Sequence, residues 1–215
     1  MLDVLLGNLP YLLQGAAMTL SLAIAVVTLG TLLGAGIGIL AAAGNRMIRG
    51  TITAYIFILR GIPVLVVMFL GYYAFPAFGW RVNAYVAVGF AQVVYVGAFT
   101  AEIVRSAILS VHPGQIAAAK SLGMRRTAIL REVVLPQAIR IAIPPLLNNA
   151  LTAIKQTSYA SVVGAWELTY AAREVVERTL ASFQIFLGVM AIYFAICYPL
   201  SLLARWCEKR LMITH

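Results

Sequence analysis

Glu102 and Arg105 stand where charge is least expected. They lie inside an apolar run, "AVGFAQVVYVGAFTAEIVRSAIL", from Ala87 to Leu109. Three residues apart, they share one face of a helix. The Arg105 guanidinium suits a carboxylate through a bidentate contact, and Glu102 can accept from an ammonium or another basic group. The same pair could equally be a local ion pair or a tie to a neighbouring helix, and the residues alone leave this even. A second polar group, Lys155, Gln156, Thr157 and Ser158, interrupts the next apolar run. Such residues can glue helices together or contact a solute. A third feature, "AAAKSLGMRRTAILREVVLP" from Ala117 to Pro136, carries Lys120, Arg125, Arg126, Arg131 and Glu132 between apolar stretches.

The elements that position these residues follow from composition. The 215 residues are 62% hydrophobic and 11% charged, against about 25% charged in a soluble domain. Mean hydropathy is +0.94. The chain reads as a single all-α integral membrane domain spanning residues 1–215. A span needs roughly 20 mostly apolar residues. Five are predicted, over about 12–43, 51–75, 84–111, 139–163 and 183–204. The stretch "MLDVLLGNLPYLLQG" ahead of the first is expected along the membrane surface. It lacks a basic n-region and a cleavage site, so no removable signal peptide is read. Basic residues set the orientation. Ten, among them Arg46, Arg49, Lys120, Arg125, Arg126 and Arg210, fall on one side, against Arg81, Arg173 and Arg178 on the other. The richer side is the expected cytoplasm, which puts the N-terminus outside and the C-terminus inside.

Gly30, Gly34 and Gly38 fall four apart, a spacing that lets two helices approach closely. Pro63, the Pro144-Pro145 pair and Pro199 are expected to interrupt spans two, four and five. The net charge of +9 sits in short loops rather than a basic patch with interleaved aromatics, so no nucleic-acid partner is indicated. Cys197 and Cys207 form neither a disulfide framework nor a metal-ligand pattern. His112 is read as a cap or interface residue. Trp80, Trp166 and Trp206 are read as an interfacial belt, and Arg173, Glu174, Glu177 and Arg178 as a solvated outer helix.

Five charges between Lys120 and Glu132 keep the insert, about 113–136, out of lipid. Pro113 suits a first helical turn. Ala117, Ala118, Ala119 and Leu122 favour helix. Gly123 is a stop signal, and "TAILREVVL" reads as a second helix leading to Pro136.

The spacing of this insert resembles the cytoplasmic loop motif of ABC importer membrane subunits: Glu-Ala-Ala, three residues, Gly, nine residues, Ile, one residue, Leu-Pro. Ala118 and Ala119 match the alanines, Gly123 the glycine, Val133 stands for the Ile, and Leu135-Pro136 close it. The family's Glu is Ala117 here. Three further segments resemble the polar amino acid subfamily. "LRGIPVLV" at 59–66 has Ile62 for Thr. "AEIVRSAILSVHPGQ" at 101–115 looks like the end of its third span. "IKQTSYASVVGAWEL" at 154–168 has Tyr159 for Leu.

The resemblance implies a permease with a cytoplasmic coupling helix between its third and fourth spans, in a bacterial plasma (inner) membrane. Its implied partners are two ABC ATPase subunits, a second copy or homologous permease, and a periplasmic or lipid-anchored substrate-binding protein. ATP and magnesium would be held by the ATPase. Gly114, Ala117, Ala118, Ala119, Leu122 and Gly123 would form the ATPase contact. It tips Glu102 and Arg105 toward a substrate cavity, joined by Gln156, Thr157 and Ser158. Arg60 stays open between a structural and a pathway-lining role. No GxxxxGK[ST] phosphate loop and no catalytic residues are present. The competing reading is a secondary transporter or channel for small polar solutes without an ATPase. Against it, the two halves show no clear repeat.

Overall fold

The computed structural model describes residues 2–211, and within them every regular element is helical. Helix α1 (Leu2–Ala43) runs unbroken for 42 residues. At 1.5 Å per residue that is about 63 Å, roughly twice the hydrocarbon thickness. The N-terminal stretch is therefore not a separate surface helix; it continues the first span through Pro10.

The second apolar run is two helices, α2 (Arg46–Gly61) and α3 (Val64–Ala77), meeting at 106°. Asn45 starts α2 by accepting the Ile48 N–H at 3.0 Å, a side-chain cap. Pro63 has no N–H to donate back into α2 and so ends it. The preceding residue, Ile62, takes the extended conformation (φ −108°, ψ 134°) that a following proline imposes.

Helix α4 (Ala84–Leu109) forms the centre, buried along most of its length. The expected glycine stripe packs on it. A methyl group at Gly30 would come within 2.8 Å of Val96, and one at Gly38 within 2.6 Å of the Ala101 carbonyl. The two backbones therefore lie closer than any side chain would permit.

The charged insert is α5 (Pro113–Ser121), a turn at Gly123 (φ +72°), and α6 (Arg126–Ala128). The second helix leads to Pro136 and continues past it. It widens into a π turn over Ile129–Val134, where the Leu135 N–H bonds the Leu130 carbonyl, and runs on as α7 (Leu135–Gln156). The wider turn accommodates a proline ring that would crowd an α-helical carbonyl.

Pro144 and Pro145 do not break α7, and Pro199 does not break α9 (Ser182–Leu211). Neighbouring helices can satisfy the carbonyls that such prolines free. The break instead follows Gln156, where Thr157–Val163 tightens to a 3₁₀ turn and ends at Gly164 (φ +82°). Helix α8 (Leu168–Thr179) follows.

Helices α1, α4 and α9 are each long and apolar enough to cross a membrane, and α2 with α3 adds a fourth if counted together. Helix α7 falls short because Gln137, Arg140, Asn148, Asn149 and Lys155 dilute its apolar run. Three apolar clusters hold the helices. One centres on Met68, Val88 and Ala160. A second joins Ile108, Ala119, Ile129 and Ala138 around the insert. The third joins Leu12, Leu168, Val175 and Ile185 across α1, α8 and α9.

Candidate functional site

Helical spacing brings Glu102 and Arg105 together as expected. Arg105 Nε donates to Glu102 Oε2 at 2.9 Å and Nη2 to Oε1 at 2.7 Å, a side-on bidentate pair. The Ser106 hydroxyl adds a bond to Oε1 at 3.3 Å. Both charged side chains keep about a quarter of their surface open. They face a groove where α4 meets α2 and α7. One cavity, of about 450 Å³, is lined by Arg60, Glu102, Ser106, Ser110, Ile141 and Pro145. A second, of about 480 Å³, is lined by Thr53, Phe57, Arg60, Gly61, Glu102 and Arg105. Arg60 and Glu102 border both. The Arg60 guanidinium lies 5.5 Å from the centre of the Phe99 ring, a cation–π distance.

Gln156, Thr157 and Ser158 lie elsewhere along the bundle. Gln92 of α4 donates to the Ala153 carbonyl at 3.0 Å, which puts the end of α7 near Gln92. Ten residues of α4 separate positions 92 and 102, about 15 Å. Thr157 is fully buried and gives its hydroxyl to the Ile154 carbonyl at 2.7 Å. Ser158 bonds the Lys155 carbonyl at 2.8 Å. Each hydroxyl shares its carbonyl with a backbone N–H of the same turn, so both are spent on the end of α7. Gln156 is half-buried.

The insert presents two faces. His112 caps α5, its Nδ1 accepting the Gly114 N–H at 3.1 Å. Ala119 and Ile116 turn inward onto Ile129 and Val134. Gly114, Ala117, Ala118, Ser121 and Leu122 recur at helical spacing on the opposite face and are all exposed. Leu122 shows 82% of its surface. Small residues plus one protruding leucine make a shallow apolar face that a groove on another protein could receive.

Sequence reading missed a buried hub at the start of α8. Glu167 is fully buried. Its carboxylate accepts the Tyr170 N–H at 2.9 Å, the Thr19 hydroxyl at 3.1 Å and the Tyr193 hydroxyl at 3.2 Å. Burial pushes its acidity weaker than an ordinary glutamate, partly offset by the bonds from Thr169, Tyr170, Thr19 and Tyr193. The signal was present as a Glu at a helix start, an N-cap position, but its partners lie on α1 and α9. Glu174 and Trp166 are likewise not simply an outer helix and a belt. Trp166 Nε1 donates to Glu174 at 2.9 Å, and the Tyr11 hydroxyl donates to the same carboxylate oxygen.

A family model described as "Binding-protein-dependent transport system inner membrane component" matches residues 34–213. The chain is similar to the probable glutamine ABC transporter permease protein GlnM of Bacillus subtilis (strain 168), with 32% identity over 209 residues covering 97% of each chain. It is similar to the L-cystine transport system permease protein TcyB of the same organism, with 39% identity over 167 residues, 77% of this chain and 71% of that one. Among solved structures, an amino acid ABC transporter crystallised with histidines superposes with a TM-score of 0.89 at 33% identity, covering 96% of both chains.

Proposed function

The chain belongs to the family of binding-protein-dependent transport system inner membrane components, and from that premise we propose that it is the membrane-spanning permease subunit of an ATP-driven importer of polar or charged amino acids. It is a multi-pass protein of the bacterial inner membrane. Its relatives include glutamine and L-cystine permeases, which supports the amino acid class. In this reading α1, the bent α2–α3 pair, α4, α7 with its 3₁₀ turn, and α9 make five spans. The excess of basic residues around α5 supports an inner position for it.

The exposed small-residue face of α5 is the observation that carries the reading. It fits a groove on an ABC ATPase subunit, which would bind ATP and magnesium. The apolar cluster beneath it joins Ala119 of α5 to Ala107 and Ile108 of α4 and to Ala138 and Ala142 of α7. A push on α5 therefore moves both helices that carry the proposed pathway residues, since packed interiors transmit displacement. Glu102 and Arg105 would line the inner part of the pathway, and Gln156, Thr157 and Ser158 the outer part. A second permease copy or homologue would complete the pathway, and a substrate-binding protein would deliver at the outer face.

The test is a pull-down in mild detergent, then an ATPase assay of the complex in lipid with binding protein and a panel of amino acids. Co-purification of an ATPase stimulated by one amino acid class is the expected result. A chain that purifies without any ATPase, yet moves solute in liposomes, would hand the case to the secondary-transporter reading.

A further inference from the structure

The groove beside α4 holds two guanidinium groups and one carboxylate. Arg105 has committed its Nε and Nη2 to both oxygens of Glu102, so that pair is close to neutral. Among the described residues the Arg60 side chain makes no hydrogen bond or ion pair; it lies over the ring of Phe99 and close enough to Glu102 for their charges to interact. A ring face holds a guanidinium in place yet satisfies none of its five N–H donors. Arg60 therefore borders both cavities as an unspent cation, one positive charge in excess of what the groove neutralises. Its side chain is exposed and open to the groove, and the group that fits a guanidinium fork best is a carboxylate.

Resting on the importer reading above, we propose that Arg60 binds the α-carboxylate of the transported amino acid on the inner half of the pathway. Arg105 serves as the partner that fixes Glu102 and does not meet the substrate carboxylate with that fork. The α-carboxylate is the anionic group every amino acid shares, so this contact is independent of the side chain. Ser106 and Ser110 in one cavity and Thr53 in the other offer hydroxyls to the rest of the solute. Position 60 is also well placed mechanically. It lies at the end of α2, two residues before the 106° bend, so a change in that bend would move the guanidinium relative to α4.

The experiment uses the permease–ATPase complex in nanodiscs without binding protein. Equilibrium binding of tritiated L-glutamine, L-arginine, L-histidine and L-cystine is measured, with the matching α-amides as competitors. Wild type is expected to prefer at least one free amino acid over its α-amide by about tenfold or more, the scale of a hydrogen-bonded charge. Arg60→Gln should lose about that factor for the free amino acid and none for the amide, so the discrimination collapses. Arg60→Lys, a point charge without the planar fork, should fall between them, and it serves where Arg60→Gln does not assemble. Retained discrimination in these variants, or equal weakening of acid and amide, would overturn the assignment. A wild-type complex that imports with its binding protein but binds no amino acid alone would overturn Arg60's role and leave the importer reading standing. Absence of ATP-driven uptake would instead bring down the importer reading itself.

Discussion

Thr19 of α1 donates its hydroxyl to the buried Glu167 carboxylate at 3.1 Å, across 148 residues of sequence. The same hydroxyl oxygen accepts the Leu168 N–H at 3.1 Å. One threonine thereby fastens both the cap and the first turn of α8 to the longest helix, and Tyr193 closes the arrangement from α9.

Glu167→Ala should cost about 2–4 kcal/mol, from a lost helix cap and buried donors left without an acceptor. A fall in melting temperature in detergent would show it. The pH dependence has a definite sign. Residue 167 belongs to the link between the 3₁₀ turn and α8, and burial raises its carboxyl above the ordinary 4.5. The protonated form is thus favoured in the fold, and the stability it contributes is present below 4.5 and lost as pH rises through the higher folded value. The melting temperature of wild type should therefore decline relative to Glu167→Gln as pH rises above about 4.5. A constant difference across that range would contradict the assignment.

Gly34→Ala should destabilise by about 1–3 kcal/mol, because the added methyl would meet the Gly97 carbonyl and Thr100. Gly36→Ala is the internal control, since nothing lies within 4 Å of its added carbon. Thermal melts of the two variants should separate clearly. Equal melts would mean that α1 and α4 can part at little cost.

Gly123→Asp places a negative charge on the turn at φ +72°, beside the apolar face of α5, where a buried charge in a contact is costly. The variant should insert normally yet lose ATP-dependent uptake. Leu122→Asp tests the adjoining face differently. That side chain is 82% exposed, so the isolated subunit should melt as wild type while ATPase co-purification falls about tenfold or more, the effect of a charge in an apolar contact. Normal co-purification would place the docking surface elsewhere.

Glu102→Gln removes one half of the bidentate pair and frees Arg105. The apparent affinity or selectivity for amino acids, read from substrate-stimulated ATPase, should change by about fivefold to tenfold. Unchanged kinetics for every amino acid tested would reduce the pair to a packing contact.

Much of this architecture was legible in the residues because its causes are local. Hydropathy is a property of each side chain, so the membrane class and the charged insert follow from composition and spacing. Gly123 and Pro63 act on their own backbone torsions, so the turn in the insert and an interruption of the second span were both readable. The glycine stripe of α1 predicted a close helix contact, though its partner, α4, came only with packing.

The rest depended on distant neighbours. Pro144, Pro145 and Pro199 carry the same local chemistry as Pro63, yet their helices continue, because a freed carbonyl is tolerated or not according to what packs beside it. Glu102 and Arg105 were recognisable as a pair, but only the fold places Arg60 beside them, and only the fold sets the end of α7 against Gln92, about 15 Å along α4 from Glu102. Glu167 looked like an ordinary residue at a helix start. Its role comes from Thr19 and Tyr193, and hydrogen bonds across so much chain exist only once apolar packing has fixed α1, α8 and α9 against one another.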